Sequence, residues 1–365
     1  MIPYICLIFY LLILPLFIQS NDRERRERTR LWFALIPIYL LMALKATSVG
    51  RDTSGYARMY ESFFSASWFN YDLYWTEWGY ETLEMFFTHI LNFNFTQFAA
   101  TLYAFIYVSY YKFWKRYSKD GCFSCFVYVC FGLICFDLSG LRNALALAIF
   151  LLAAPYAEKR GFWNGVKYFA ILWVATQMHN SAYAGIFYFF MIRYSLPKIM
   201  YAVAPFVVLV AQPVLAPLVK EVSNKSIAGS ALGGNFMFYV AVLILPVLLW
   251  LLWKNAGIKY KEHTSSGRIE NWFQEMEMPM QVLYAGILFL MFSGGGDFSR
   301  IANYGLFFVS VLIPNALYPL NRKSQILLRV LVTMFLLMYF WIYKLKMNEL
   351  DMLPYIPFWD SQWIV

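Results

Sequence analysis

Arg142, Arg300, Arg51 and His179 are the side chains of this sequence best suited to chemistry on an anion, and their settings are alike. Arg142 follows the small polar turn Ser139-Gly140 and opens an apolar run that lasts to Ala157. Arg300 follows Gly294-Gly295-Gly296-Asp297 at the start of another apolar run. Arg51 sits in Gly50-Arg51-Asp52-Thr53-Ser54-Gly55, a turn bracketed by glycines. His179 closes the apolar run that follows a basic hairpin and leads into Asn180-Ser181. An arginine at the mouth of a membrane helix is costly unless it meets water, a carboxylate or an anionic ligand. A helix N-terminus adds unpaired N–H groups and partial positive charge. A guanidinium fork pairs phosphate oxygens two at a time and offsets charge growing on a leaving oxygen. These residues suit a lipid-linked diphosphate. Arg142 and Arg300 would hold it, Arg51 would help or place its loop, and His179 would contact a phosphate or an acceptor hydroxyl. Asp52, Glu77 and Glu81 are the candidates to take the acceptor proton, a weak requirement because a diphosphate leaves readily. The plainer reading is an arginine snorkelling to a lipid headgroup.

The elements that must position these groups are membrane helices. The chain is 61% hydrophobic and only 14% charged, well below the quarter charged of soluble domains. Apolar runs of spanning length give eleven or twelve spans, near 2–18, 31–48, 95–113, 122–138, 141–157, 166–178, 182–194, 199–219, 235–253, 279–293, 301–320 and 326–344. The expectation is an all-α integral membrane protein forming one polytopic domain over residues 1–365. The first run resembles a signal h-region but lacks a small-residue cleavage site, so it reads as a permanent helix. Placing the block Arg23–Arg30 in the cytoplasm and alternating puts 21 of the 30 Lys and Arg on cytoplasmic connections. This is the positive-inside pattern, so the net charge of +9 reports topology and not a nucleic-acid footprint. Arg51, Arg142, His179 and Arg300 then share the external face.

That face also carries the segment 49–94, expected as an external aromatic and acidic loop with lateral helices. Tyr56, Tyr60 and Phe63-Phe64 fall at helical spacing, suiting a short amphipathic helix. Trp75, Trp78 and Tyr80 follow, interleaved with Asp72, Glu77 and Glu81. Tyr56, Tyr60, Trp75, Trp78 and Tyr80 suit stacking on sugar rings, while the same residues serve equally as interfacial anchors. Glu77–Asn94 reads as a lateral or re-entrant helix with Glu77, Glu81 and Glu84 on one side, and His89 within it as a packed histidine. Pro205, Pro213 and Pro217 interrupt one span, which lipid tolerates where neighbours satisfy the freed carbonyls. The Ser/Gly-rich loop 220–235 is a plausible external cover, and the cytoplasmic loop 254–278 has no phosphate-cradling motif. Cys122 and Cys125 lack a second pair or a histidine at zinc spacing and read as buried hydrophobes.

The ordered set Gly50-Arg51-Asp52-Thr53…Tyr56…Tyr60, Glu77-Trp78-Gly79-Tyr80-Glu81…Leu83, Tyr117-Ser118, Leu141-Arg142-Asn143-Ala144-Leu145-Ala146 and His179-Asn180-Ser181-Ala182 resembles the EpsG family within the Wzy-type polysaccharide polymerases. The resemblance covers about residues 45–195 and reaches more faintly to Arg300-Ile301-Ala302-Asn303-Tyr304. Two positions depart from the family pattern: Arg51 inside its G-x-D motif and Asn143 where Gln is usual. The resemblance implies a metal-independent, GT-C-like glycosyltransferase at the periplasmic face of a bacterial inner membrane. It would polymerise O-antigen or exopolysaccharide by moving the growing undecaprenyl-diphosphate-linked glycan en bloc onto a new lipid-linked repeat unit. The implied partners are the lipid-linked donor and acceptor, membrane lipid and a chain-length regulator protein, with no cofactor and no nucleic acid.

Other classes fit less of the sequence. A lipid-oligosaccharide flippase should show internal repeats and cations deep in the bundle. A membrane acyltransferase accounts for His179-Asn180 but leaves the arginines idle. An O-antigen ligase differs only in its acceptor, a lipid A core. No metal is expected, because the external face offers one ligand histidine, His179, and no cysteine, and the acidic residues there stand beside arginines.

Overall fold

The computed structural model describes residues 1–67, 77–223, 268–293, 299–348 and 350–363. Within them the chain is helical, with an isolated β-bridge between Lys45 and Pro357. The α-helices are α1 (Ile2–Phe17), α2 (Arg23–Ala43), α3 (Thr53–Ser62), α4 (Trp78–His89), α5 (Phe95–Tyr117), α6 (Gly121–Cys130), α7 (Leu133–Ser139), α8 (Leu141–Glu158), α9 (Phe162–Met178), α10 (Ala184–Arg193), α11 (Lys198–Ser223), α12 (Arg268–Ser293), α13 (Ser299–Leu306), α14 (Val309–Leu317) and α15 (Arg322–Tyr339). Leu141–Glu158, Arg300–Leu317 and Arg322–Lys346 are long and apolar enough to cross a bilayer. The pair α6 and α7, bent by 69°, makes a broken span. The protein is an all-α integral membrane protein. The expected spans fall mainly on helices where they are described, but residues 44–48 of the span 31–48 lie past the end of α2 in turns and the β-bridge, and 268–278, expected within a cytoplasmic loop, belong to α12. Residues 235–253, 254–267, the loop 220–235 from residue 224 onward and Gly294–Asp297 lie outside the described residues.

Sequence signals set the helix ends. The Asp22 side chain accepts from the Arg25 amide at 3.1 Å, so the basic block forms the first turns of α2 and not a separate loop. Asn94 and Gln97 close a capping box at the start of α5, while Lys115 and Arg116 sit in its last turn, where cations suit the dipole. Asp120 caps α6 through the Phe123 amide at 2.9 Å. Gly132 divides the broken span: its φ of +82° favours glycine, and the Lys344 stem lies where a β-carbon would go.

Chain contacts divide the molecule into two compact units. The first comprises residues 1–153, 170–182 and 326–365, the second residues 154–169 and 183–325. In the first unit a buried carboxylate fixes α7. Asp137 Oδ2 accepts from the hydroxyls of Tyr110 at 2.9 Å and Tyr128 at 2.5 Å, and its carbonyl accepts from Tyr103 at 3.1 Å. Such pairing is what a carboxylate requires in a dry interior. One end of this unit joins Arg30 to the carbonyls of Pro15 and Ile18, and Arg329 to Asp120 at 2.8 Å. At the other end residues 350–358 lie along the chain after α2. Ala46 donates to Ile356, Phe358 to Leu44 and Gly50 to Asp351, each at 2.8 Å. The hydroxyl of Tyr4 donates to the Met352 carbonyl there.

In the second unit α12 and α13 approach closely enough that a β-carbon on Gly305 would lie 2.5 Å from the Val282 carbonyl oxygen. The Tyr188 hydroxyl donates to the Ile301 carbonyl.

Candidate functional site

The site is built where α4, α8 and α9 bring their ends together in the first unit. Glu77 stands at the N-cap position of α4, but its side chain does not cap that helix. It reaches instead to the far ends of two others. Its Oε2 lies 3.1 Å from Nη2 of Arg142, the second residue of α8. Its Oε1 lies 3.1 Å from Nδ1 of His179 and accepts the Asn180 amide at 2.8 Å, just past the end of α9. All three side chains are nearly closed to solvent.

The glycine two residues on makes this meeting possible. A β-carbon on Gly79 would lie 2.6 Å from the Gln177 β-carbon and 3.0 Å from its carbonyl oxygen. Only glycine lets the first turn of α4 rest on the last turn of α9. Gly79→Ala is therefore expected to lower stability by about 1–3 kcal/mol through overpacking. It should also part Glu77 from His179, seen as a lower melting temperature together with lower activity of the protein that remains folded.

Electrostatics separate the acidic residues of α4. Burial works against ionisation of Glu77. The hydrogen bond from His179, the Arg142 charge and the Asn180 amide outweigh it and hold its pKa at about 2. Glu77 is thus an anion at neutral pH, and an anion cannot donate. His179 therefore donates from Nδ1 to Oε1, so in the neutral ring the lone pair stands on Nε2. Glu84, two turns along, is fully buried with neither oxygen hydrogen-bonded. Burial raises its pKa well above the usual carboxylate range, against the opposing pull of Arg142, so it is a neutral acid. Glu81 is buried on the same helix.

The aromatic residues divide between this site and the core. The Arg142 guanidinium lies over the rings of Tyr56 at 5.7 Å and Tyr80 at 5.6 Å. Tyr60 and Tyr80, expected to stack on sugars, are completely buried. Tyr60 stacks on Phe98 and donates to the Phe93 carbonyl, so neither ring has a face to offer a glycan. Trp78 is 54% exposed and Tyr56 half-buried, and these two remain available. Trp75 lies outside the described residues. His89, expected as a packed histidine, is exposed; its ring still bonds the Met85 and Ala66 carbonyl oxygens.

Asp52 is the N-cap residue of α3, and its amide donates to Ser139 Oγ at 3.3 Å, which ties its loop to the end of α7. Gly50, with φ +97°, lets that loop pass close to α7: a β-carbon there would lie 2.7 Å from the Leu138 carbonyl oxygen. Arg51 is exposed and paired with Asp351 at 3.6 Å, outside the group around Glu77. Its role there is to join the loop to the segment 350–358. Arg300 stands in the first turn of α13, as the sequence suggests, in the second unit. Lys45 is a buried residue that the motif reading passes over.

The model of the EpsG family matches residues 29–357, nearly the whole chain. No curated protein and no solved structure matches it.

Proposed function

The chain belongs to the EpsG family, a family of polysaccharide-polymerase type, and from that premise we propose that it extends a lipid-linked glycan at the external face of a bacterial inner membrane. The observation that carries the proposal is the convergence of Glu77, Arg142 and His179 from three helices onto one buried carboxylate. The donor is the growing glycan on undecaprenyl diphosphate, the acceptor a new lipid-linked repeat unit, and the product O-antigen or exopolysaccharide. The reaction is a metal-independent, GT-C-like glycosyl transfer facing the periplasm, and a chain-length regulator is a fitting partner.

In this reading His179 Nε2 takes the proton from the acceptor hydroxyl as its oxygen bonds the anomeric carbon of the donor. The bond from that carbon to the diphosphate oxygen breaks, and the electron pair leaves on the diphosphate. Glu77 keeps the imidazole in the tautomer that can accept and stabilises the imidazolium that forms. Arg142 has five N–H donors and spends Nη2 on Glu77, so its remaining edge can pair a phosphate oxygen. Trp78 and Tyr56 are the stacking surfaces. Asp52 and Glu81 are the lesser candidates for the base.

A strain lacking this chain should make lipid A core capped by a single repeat unit, read as a collapsed ladder on a gel. Rough core without any repeat would instead mean a flippase or a ligase. The purified protein should extend lipid-linked repeat units in excess EDTA. Loss of activity that magnesium restores would give Glu77, Glu81 and Asp52 to a metal.

A further inference from the structure

Arg142, the nearest candidate for an anionic substrate, does not bring an unopposed charge to the site, because Glu77 offsets it. Arg51 is offset in the same way by Asp351. Among the described residues Lys45 is the one lysine or arginine that is buried. Its Nζ meets neutral oxygens, the Val49 carbonyl at 2.7 Å and Thr53 Oγ1 at 2.6 Å. Thr53 Oγ1 is itself engaged with the carbonyls of Val49 and Leu138. The position just past the C-terminus of α2 explains a cation there, since it suits the helix dipole. It does not explain burial, because an exposed side chain would serve the dipole as well. Among the described residues no carboxylate meets it, and a buried ammonium keeps its proton most readily where something supplies negative charge.

The place of Lys45 suggests what that is. Together with Thr53, Tyr56, Ala99, Tyr103 and Leu141 it lines a cavity of about 10 Å³, room for one water. Tyr56 is one of the rings under the Arg142 guanidinium, and Leu141 is the residue before it. An ammonium has three donors, and two of them are used on Val49 and Thr53. The third can bond a cavity water on the Tyr56 side.

We propose that Lys45 is a further positioning residue of the site, the buried counter-charge that holds a phosphate-bearing ligand beside Arg142, acting across the Tyr56 cavity and not by direct contact. The inference rests on the reading of the site as one for a lipid-linked diphosphate, which supplies the anion. With the Arg142 charge offset by Glu77, the Lys45 ammonium adds attraction for such a group. Its field acts through a poorly solvated interior, where a charge is screened less than in water.

The test is binding by the purified full chain, by calorimetry, of inorganic diphosphate and of undecaprenyl diphosphate. Lys45→Met should weaken both roughly tenfold, and Lys45→Arg should restore most of the affinity. Tighter binding of undecaprenyl diphosphate than of inorganic diphosphate, with the same dependence on Lys45, would name the lipid as the source of the anion. In transfer assays the Met variant should raise KM for the lipid-linked donor and leave kcat nearly unchanged, whereas a merely structural loss would lower the amount of active protein at constant KM. If Lys45→Met fails to fold, Lys45→Gln keeps a donor for the Val49 carbonyl, removes the charge, and should show the same loss. Affinities equal to wild type in either neutral variant overturn the proposal and leave the polymerase reading standing. Lys45-dependent diphosphate binding in a protein that extends no repeat units overturns the polymerase reading and leaves Lys45 in its role.

Discussion

Glu77→Gln should stop chain extension, lowering the rate roughly a thousandfold or more, because the carboxylate that fixes the His179 tautomer is replaced by an amide that can donate to Nδ1. The same change leaves the Arg142 guanidinium nearly buried without its partner, a loss of about 3–5 kcal/mol when one member of such a pair is removed. Both effects are measurable: transfer with purified lipid-linked units for the first, thermal unfolding in detergent for the second. Near-normal transfer by Glu77→Gln would remove the dyad from the mechanism. The ion pairing also fixes the acid behaviour. The folded pKa of Glu77 is about 2, below the ordinary 4.5. Its contribution to stability is therefore fully present above about 4.5 and is lost as pH falls from there toward 2. At neutral pH, Glu77 contributes no titration to the activity profile.

His179→Ala should cost about 10²–10⁴ in rate by removing the proton acceptor, whereas His89→Ala, on the exposed side of α4, should leave the rate unchanged. Arg142→Ala should abolish extension as well, and Arg142→Lys should recover only part of it. A point charge cannot pair Glu77 and a phosphate oxygen in the geometry of a planar fork. Wild-type glycan ladders from either alanine variant would make these side chains structural. Equal losses in the His89 and His179 variants would mean that neither imidazole has a special place.

Much of this site could be read in the sequence because each part is local. Arg142 at the start of a helix and His179 at the end of the next are visible in the apolar runs alone. The spacing of Glu77, Gly79 and Tyr80 marks a helix start, and the structure adds that the glycine is there for Gln177. The partnership of Glu77 with Arg142 and His179 is not visible, since it joins residues about a hundred positions apart through tertiary packing. For the same reason three carboxylates on one helix read as equals, although burial and neighbours make Glu77 an anion and Glu84 a neutral acid. Aromatic density in 49–94 misled in one respect. Tyr60 and Tyr80 have the composition of a sugar platform, but they fill the space between α3, α4 and α5. The Asp137–tyrosine cluster and the sharp bend at Gly132 also depend on neighbours that periodicity does not reveal.

The pairing of residues 350–358 with 44–51 bears on the order in which the proposed site is completed. During synthesis Glu77, Arg142 and His179 all emerge before the last helix, so the reacting groups can meet while much of the chain is still unmade. The loop that carries Lys45, Gly50 and Asp52 cannot finish at that stage. The carbonyls of Asp351 and Ile356 that receive its Gly50 and Ala46 amides are made about three hundred residues later. Until then those amides and the Arg51 side chain lack these partners. Assembly therefore carries its own timing: a chain cut before residue 350 holds Glu77, Arg142 and His179 without the finished loop beside them.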